Sequence, residues 1–350
     1  MKDIPHNRRA PVMVMAGEFW RGSTGLGLAD GFRRCGWAVH EIDIQHFYPN
    51  LGNRFVARAV RRALSPLAND AFRAATLNAC ETLRPDIFLS IKGGAITPDL
   101  LKRISATASQ TALFYPDFHF DYPDVDLNAL GQFDRVITSK TFQIDFLTER
   151  FGPERVAYIP HGYASGVHKP FHAYLTEDDF QADVQHIGTC SPSKLRWMSK
   201  LRRSLPDIRM RLIGAGWKRA TIGTALEPSV VSGDYYGCGY SAAVQTARIN
   251  IGVHFGPVGE WQDNVSTRTF EIPACRGFML HIDNAEIRNL FSPETEIDVF
   301  SSHDELVEKT QFYLSRPDLR ADMIERAYQR AVPAYSYDAR AKDLLDIIRK

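Results

Sequence analysis

A single glutamate, Glu271, stands in the otherwise largely apolar stretch STRTFEIPACRGFML, which is predicted to start as a helix and lead into a buried strand. An acid near a helix N-terminus interacts favourably with the helix dipole, by a few tenths to about 1 kcal/mol. A carboxylate can equally hold a ligand, because its oxygens accept charge-assisted hydrogen bonds from hydroxyl groups. On the residues alone, Glu271 is either a helix-end charge or a ligand-binding acid.

Two more polar residues, Asp117 and His119, follow a predicted strand in the stretch YPDFHFDYPD. Ligands of open α/β sheets bind at the carboxyl ends of the strands, which is where these residues are expected. Either side chain could orient or deprotonate a substrate hydroxyl, so both are catalytic candidates. The alternatives without function are a turn aspartate and a buried histidine with satisfied hydrogen bonds.

Two glycine-rich turns look like nucleotide-binding motifs but lack their defining residues. RGSTGLG (residues 21–27) lacks the terminal Gly-Lys-Ser/Thr of a P-loop, which disfavours ATP hydrolysis. LIGAGW (residues 212–217) lacks the third glycine and the later acid of the dinucleotide-binding fingerprint. Both stretches therefore predict connections between a strand and a helix.

The sequence contains no group of residues with the spacing of a metal site. Asp124 and Asp126 spell D-x-D, but they lie in a turn next to a proline. The five cysteines are scattered and never spaced as C-x-x-C, which predicts buried, reduced thiols. We therefore expect neither a metal nor a cofactor.

The overall composition excludes several classes of partner. The chain is 44% hydrophobic and 24% charged, with a formal net charge of +1. This balance gives no general attraction to nucleic acid or to an anionic membrane. Its apolar runs fall well short of the ~20 residues of a membrane span, and the N-terminus lacks the apolar core of a signal peptide. The expectation is a cytoplasmic protein with no membrane span and no nucleic-acid partner.

Strand and helix patterns alternate along the 350 residues, which is a length typical of two domains. PVMVMA, the first glycine turn, the amphipathic LADGFRRCG and the strand WAVHEIDI form a βαβ unit with parallel strands. The pattern breaks at residues 159–172, where prolines and glycines predict a linker, and then starts again. The sequence therefore predicts two doubly wound α/β domains.

Several segments of the second half carry a family resemblance: HIGTCSPSK, LIGAGW, TRTFEIPACRGFML, the run that begins LFSPETEIDVF, and the closing YSYDARAKDLL. They resemble the GT-B-fold glycosyltransferases, close to the CgeB-like (spore-maturation) branch of the retaining, nucleotide-sugar-dependent group. The resemblance implies two Rossmann-like domains facing a central cleft. Residues 1–162 would form the acceptor-side domain, residues 163–332 the nucleotide-sugar domain, and residues 333–350 a helix crossing back to the first domain.

The function that the resemblance implies is transfer of a sugar from a nucleotide-diphosphate donor, without a metal and with retention of anomeric configuration. The acceptor could be a glycan, a lipid, a protein or a small molecule. Two alternatives stay open. One is a sugar-nucleotide epimerase of the same architecture. The other is a non-catalytic nucleotide-sugar-binding protein, because Thr189 and Asp263 depart from the donor-site pattern of the group.

The resemblance also implies the main donor-binding residues. Glu271 would open its helix and bind the ribose diol, and Asp263 stands where the group often has a glutamate near the donor sugar. For the diphosphate, Lys194 keeps the lysine of the group's strand-to-helix turn and is expected to be exposed. Thr189 replaces the arginine of that turn, so Arg268 is the preferred substitute cation.

Five further residues complete the predicted donor site. Gly188 belongs to the same turn as Lys194, and the backbone N–H groups around Thr267 would contact phosphate. Gly214 and Trp217 are predicted neighbours of the nucleotide base, because they follow the strand that abuts the base in the resembled enzymes. Gly25 lies in the glycine-rich loop that reaches towards the donor phosphates in those enzymes.

Overall fold

The structure is a computed structural model that describes residues 9–49, 55–231, 233, 235, 237–257 and 261–350. The chain divides into two compact units. Unit 1 comprises the residues up to Pro160 together with Arg340–Lys350, and unit 2 comprises His161–Ala339. The C-terminal end of the chain therefore groups with the N-terminal unit.

Unit 1 is built on a six-stranded sheet in which all neighbouring strands are parallel. The strands are β1 (Val12–Gly17), β2 (Ala38–Asp43), β3 (Ile87–Ile91), β4 (Gln110–Tyr115), β5 (Arg135–Thr138) and β6 (Val156–Tyr158). Their order in the sheet is β2-β1-β3-β4-β5-β6. β1 and β3 are buried along their whole length, which explains their continuous apolar sequences.

The helices of unit 1 differ from the sequence pattern at two places. They are α1 (Thr24–Arg34), α2 (Phe55–Leu83), α3 (Pro98–Ser105), α4 (Leu127–Leu130) and α5 (Ile144–Phe151), with 3-10 turns at Ile44–Phe47 and Thr141–Gln143. Ser23 caps α1 by accepting a hydrogen bond from the Leu26 N–H, so most of the predicted glycine loop is the first turn of this helix. α2 contains Pro66, a residue that normally indicates a helix break, and nevertheless continues as one helix of 29 residues.

Unit 2 is built on a second parallel sheet of six strands. The strands are β7 (Ala182–Ile187), β8 (Met210–Ile213), β9 (Val230–Val231), β10 (Ala247–Gly252), β11 (Met279–Ile282) and β12 (Asp298–Phe300). Their order is β12-β11-β10-β7-β8-β9. The chain builds outward from β7 to β9 and then returns to place β10 on the other side of β7. A reversal of this kind is where open α/β sheets bind their ligands.

The helices of unit 2 follow its strands. They are α6 (Pro192–Ser204), α7 (Trp217–Ala220), α8 (Cys238–Gln245), α9 (Thr267–Ala274), α10 (Ala285–Leu290), α11 (His303–Leu314) and α12 (Pro317–Ala331), with 3-10 turns at Glu177–Asp179 and Glu227–Ser229. The last helix is α13 (Tyr337–Ile348), which belongs to unit 1 from Arg340 onward.

The two parallel sheets with their helices confirm the predicted pair of Rossmann-like α/β domains. Within the part of the chain that the structure describes, none of the helices combines the length and the apolar character needed to span a membrane.

Candidate functional site

The loops after β7 and β8 pack against each other through their backbones. Gly188 and Gly214 have φ angles of 150° and 129°, which disfavour other residues. A Cβ atom on Gly214 would also lie 2.5 Å from the Gly188 carbonyl oxygen. These glycines therefore keep the two strand ends close together, beside the point where the strand order reverses.

Trp217 supports this loop from the core of unit 2. Its indole N–H donates to the Gly188 carbonyl oxygen at 2.8 Å, and the side chain has no exposed surface. A fully buried ring has no face to offer a nucleotide base. The prediction that Trp217 neighbours the base is therefore wrong for its side chain, which holds the glycine loop instead.

Lys194 is the third residue of α6 and is almost completely buried, so the prediction that it is exposed is wrong. Its Nζ donates to the Thr189 carbonyl oxygen at 3.1 Å and lies 4.2 Å from the centre of the Phe255 ring. Burial and the positive charge of Arg268 lower the pKa of Lys194 to about 7, against the opposing charge of Asp263. The hydrogen bond to Thr189 thus holds the lysine at the β7 loop, and at neutral pH its ammonium group is close to the midpoint of its titration.

Arg268 is the second residue of α9 and contacts the same glycine loop. A Cβ atom on Gly188 would lie 2.9 Å from the Arg268 Nε, so the guanidinium packs directly on that glycine. Ser266 caps α9 in a capping box with Thr269, which leaves Thr267 as the first helical residue. The Arg268 guanidinium therefore lies beside the β7 loop, at the N-terminal end of α9, a position that suits an anion.

Thr189 is exposed, and its carbonyl oxygen accepts the hydrogen bond from the Lys194 Nζ. Arg196 lies two residues beyond Lys194 on α6 and is exposed. Arg268, by contrast, contacts Gly188 through its guanidinium.

Asp263 is buried near a chain of hydrogen-bonded side chains. The His281 Nδ1 donates to the Ile282 carbonyl oxygen at 2.7 Å, so the His281 Nε2 must act as an acceptor. It faces the His254 Nε2 at 3.0 Å and the Thr269 hydroxyl at 3.2 Å. The other ring nitrogen of His254 lies 3.9 Å from the Asp263 carboxylate. The hydrogen-bonded chain therefore runs from Thr269, in the N-terminal turn of α9, to His254, whose ring lies beside Asp263.

Burial keeps the linking histidine neutral. It lowers the pKa of His281 to about 4, although the Ile282 hydrogen bond and the Asp263 charge oppose the shift. An uncharged His281 can accept at Nε2 throughout the neutral pH range, so the chain from Thr269 to His254 persists there.

Glu271 is the fifth residue of α9 and is buried, so the prediction that it opens its helix is wrong. The first turn of α9 contains no acid, and the helix-end interpretation of Glu271 therefore loses its geometric basis. Its carboxylate lies 3.8 Å from the His168 Nε2. Burial, and then the negative charge of Glu271, raise the pKa of the nearby Tyr240.

The two catalytic candidates lie in unit 1, at the carboxyl end of β4. The Lys92 Nζ lies 3.4 Å from the Asp117 carboxylate and 3.3 Å from that of Glu18. Burial alone would lower the pKa of Lys92, but these two acids outweigh it and raise the pKa. His119 stacks on the Tyr122 ring with centroids 4.5 Å apart.

Gly25 also belongs to unit 1, where it lies in the first turn of α1. A Cβ atom at this position would lie 2.3 Å from the Glu18 carbonyl oxygen, so only glycine permits this close approach. A cavity of about 760 Å³ is lined by Glu18, Asp43, His46, Arg61 and Asp124 among other residues. Glu18 thus lines this cavity, and its carboxylate also pairs with Lys92, the lysine that contacts Asp117.

The structure therefore groups the sequence-predicted residues in two places. The following lie in unit 2, on the loops after β7 and β8, on α6, and on α9 and the segment before it: Gly188, Thr189, Lys194, Gly214, Asp263, Thr267, Arg268 and Glu271. Asp117, His119 and Gly25 lie in unit 1.

Sequence reasoning missed His168, Tyr240, His254 and His281. His254 could have been found, because it follows the strand that borders the reversal point. Among the residues that the structure describes, no group of three or more histidines, cysteines or acids could hold a metal ion.

Known proteins resemble this chain in sequence and in fold. Residues 194–346 match the family described as glycosyl transferase-like. The chain is 22% identical over 281 residues to the spore protein CgeB of Bacillus subtilis (strain 168). The aligned residues cover 77% of this chain and 84% of CgeB.

Two solved structures share the fold over almost the full length. Sucrose-phosphate synthase from Thermosynechococcus elongatus is 14% identical with a TM-score of 0.68, and the match covers 97% of this chain and 98% of that one. HepE of Anabaena in complex with UDP-glucose is 12% identical with a TM-score of 0.63, and the match covers 97% of this chain and 100% of HepE. The chain therefore has the GT-B fold of these glycosyltransferases along almost its whole length, resembles CgeB in sequence, and matches the glycosyl transferase-like family over residues 194–346.

Proposed function

We propose that this protein transfers a sugar from a nucleotide-diphosphate donor, and that unit 2 binds the donor. The observation that carries the proposal is the convergence of Lys194 and Arg268 on the glycine loop after β7. Two cations and helix N–H groups at the reversal point of a parallel sheet suit a diphosphate. A relative in fold, HepE, has been solved with UDP-glucose, which makes this nucleotide sugar the first probe to use.

The spacing on α9 supports a donor that reaches from phosphate to ribose. Arg268 and Glu271 are three residues apart in one helix, so they lie on the same side of it. A diphosphate held by Arg268 would bring the adjoining ribose towards Glu271. A carboxylate suits that position because it can accept hydrogen bonds from both ribose hydroxyls.

In the proposed reaction, the bond between the sugar and the diphosphate breaks and negative charge develops on the leaving phosphate. Lys194 and Arg268 would stabilise that charge electrostatically without a metal. We infer retention of anomeric configuration from the resemblance to the retaining group, and NMR of the first-formed product would test it.

Unit 1 is the proposed site of the acceptor. Asp117 and His119 follow a strand end there, and a polar cavity is lined by Glu18 next to the Lys92–Asp117 pair. Carboxylates and a histidine suit an acceptor hydroxyl, which must be oriented and must lose its proton during transfer.

Calorimetric binding of UDP-glucose tests the donor site. We expect Lys194→Ala and Arg268→Ala each to weaken binding by about tenfold, the scale of one charge-assisted hydrogen bond. Arg196→Ala is the matched control, because this exposed cation lies on the same helix as Lys194 and should leave the affinity unchanged. Equal affinities in all four proteins would exclude the proposed diphosphate site.

A reaction assay then separates transfer from the alternatives. UDP-glucose is incubated with and without a panel of hydroxylated acceptors, and a chelator is added in a parallel series. We expect sugar transfer that needs an acceptor and survives the chelator. Conversion of the donor sugar without any acceptor would favour an epimerase, and binding with no turnover would favour a non-catalytic protein.

A further inference from the structure

The Glu271 carboxylate is buried without a hydrogen bond of normal geometry in the part of the chain that the structure describes. Only 9% of its side chain is exposed. The contact recorded for its oxygen is with the His168 Nε2 at 3.8 Å, which is beyond hydrogen-bond distance. Buried polar groups are almost always hydrogen-bonded, so an exception of this kind needs a functional explanation.

The orientation of His168 is fixed by a backbone hydrogen bond. The Ala164 N–H donates to the His168 Nδ1 at 3.1 Å, so this nitrogen carries a lone pair. The proton of the neutral ring is then on Nε2, the nitrogen that faces Glu271. Burial lowers the pKa of His168 more than the Glu271 charge raises it, so the ring is neutral at neutral pH.

The segment that carries His168 is itself held in place. The His168 and Val167 N–H groups both donate to the Ala164 carbonyl oxygen, at 2.8 and 2.9 Å. The Ser241 hydroxyl of α8 donates to the Val167 carbonyl oxygen at 3.1 Å. The His168 ring also packs edge-on against Tyr240, with centroids 5.2 Å apart. The imidazole is therefore preorganised before any ligand binds.

Tyr240 provides a second neutral donor beside the same carboxylate. Its hydroxyl is buried and makes no hydrogen bond of normal geometry with the described residues. Burial and then the Glu271 charge raise its pKa well above the usual value, so the phenol stays protonated. Glu271 thus has two neutral donors next to it, the His168 Nε2–H and the Tyr240 hydroxyl.

We propose that His168 is a positioning residue for nucleotide recognition, whose Nε2–H orients the Glu271 carboxylate towards a ribose diol. The inference rests on the proposed function, because it assumes that unit 2 binds a nucleoside diphosphate with its ribose at Glu271. His168 does not touch the nucleotide. It restricts the carboxylate to one orientation, and the oxygens that protein donors leave unsaturated accept the two ribose hydroxyls.

A matched pair of substitutions separates the two nitrogens of His168. In His168→Asn the amide oxygen replaces Nδ1 and can still accept from Ala164, but nothing replaces the Nε2–H. In His168→Gln the amide nitrogen replaces the Nε2–H, but the Ala164 bond is lost. The measurements are the melting temperature and the calorimetric affinities for UDP and for 2′,3′-dideoxy-UDP, which lacks the diol.

The wild-type protein should bind UDP more tightly than dideoxy-UDP. We expect His168→Asn to melt near the wild-type temperature, to bind UDP about tenfold more weakly, and to bind dideoxy-UDP unchanged. His168→Gln should keep most of the preference for UDP and melt at a lower temperature. This pattern would assign His168 to recognition of the diol through Glu271.

Other patterns overturn the inference in distinguishable ways. If His168→Asn keeps the wild-type ratio of UDP to dideoxy-UDP affinity, His168 has no positioning role, although the proposed function stands. If the wild-type protein binds both nucleotides equally, the assignment of the ribose to Glu271 fails. If it binds no nucleoside diphosphate at all, the proposed function itself fails.

Discussion

Single residues at the proposed donor site combine burial with charge in opposite ways. Lys194 is a buried cation whose pKa is lowered to about 7, whereas Glu271 is a buried acid whose carboxylate lies beyond hydrogen-bond distance of the His168 Nε2. Both are costly for the free protein, because a buried charge loses its hydration. A ligand that brings a diphosphate and two hydroxyls would supply the missing partners, and this difference between free and bound states leads to two predictions.

The first prediction is that binding of UDP-glucose depends on the protonation of Lys194. The free lysine is charged below about pH 7 and neutral above it, and a diphosphate favours the charged form. We expect the affinity to be constant below pH 6.5 and to fall by about tenfold as the pH rises to 8.5. Calorimetry in buffers of different ionisation enthalpy should show proton uptake at the higher pH.

UDP-glucose is chosen because its diphosphate is a diester and does not titrate in this range. Lys194→Arg is the control, since an arginine stays charged and should give a flat pH profile. A wild-type profile as flat as that of the arginine variant would show that Lys194 is not the titrating group.

The second prediction concerns Glu271→Gln. The substitution keeps the size of the side chain but removes the charge, so hydrogen bonds to the ribose change from charge-assisted to neutral. We expect the UDP affinity to fall by about tenfold while the melting temperature stays the same or rises, because an amide is easier to bury than a carboxylate. A lower melting temperature with unchanged UDP affinity would make Glu271 a structural residue.

Two glycine turns and the N-terminal end of α9 bring the residues of the proposed donor site together. Gly214 meets the Gly188 carbonyl oxygen, and Gly188 meets Arg268. The first contact is between backbones and cannot relax, whereas the second involves a flexible side chain. The two glycines therefore have different roles, one in the loop structure and one in the position of the cation.

This difference predicts the effect of Gly188→Ala. The added Cβ would lie 2.9 Å from the Arg268 Nε, so the guanidinium must move away from the loop. We expect UDP-glucose binding to weaken by about tenfold with a fall in melting temperature of a few degrees.

Gly223→Ala is the matched control, because Gly223 also has a positive φ, of 70°, but a Cβ there would meet nothing within 4 Å. It should introduce backbone strain of a milder kind and leave binding unchanged. Equal loss of affinity in both variants would trace the effect to strain and not to Arg268.

At the scale of the whole molecule, the chain returns to unit 1 at its C-terminus. The end of α13 contributes Leu344, Leu345 and Ile348 as buried side chains, and the Arg349 guanidinium lies 5.2 Å from the Trp37 ring centre. The Arg135 side chain also donates to the Ile347 carbonyl oxygen. Unit 1 is therefore completed by a segment that follows unit 2 in the sequence.

Truncation after Ala339 should consequently destabilise unit 1. Loss of the three buried aliphatic side chains is expected to cost at least about 5 kcal/mol, which is comparable with the total stability of many domains. We expect a melting temperature lower by more than about 10 °C, or no cooperative unfolding transition.

Removal of only the exposed Lys350 is the control and should change the melting temperature by a few degrees at most. A truncated chain that melts like the control would show that α13 contributes little to unit 1.

The alternation of strands and helices was available from the sequence, because periodicity and turn residues are local properties. The GTCSPSK turn and the stretch around Arg268 likewise indicated an anion site from their residues and from the family resemblance. The sequence pattern failed where local signals conflict with packing. The glycines after Ser23 suggested a loop where the helix α1 already begins, and α2 continues through Pro66 although proline normally breaks a helix.

What the sequence by itself determined is the fold class and the identity of the charged residues on unit 2. Only the tertiary structure decided their environments. It buried Lys194 and Trp217, placed Glu271 inside α9, and brought His168 to its carboxylate. The physical reason is that burial and contact depend on segments far apart in the chain. His168 precedes β7 while Glu271 follows β10, and no local pattern relates them until the sheet of unit 2 has formed.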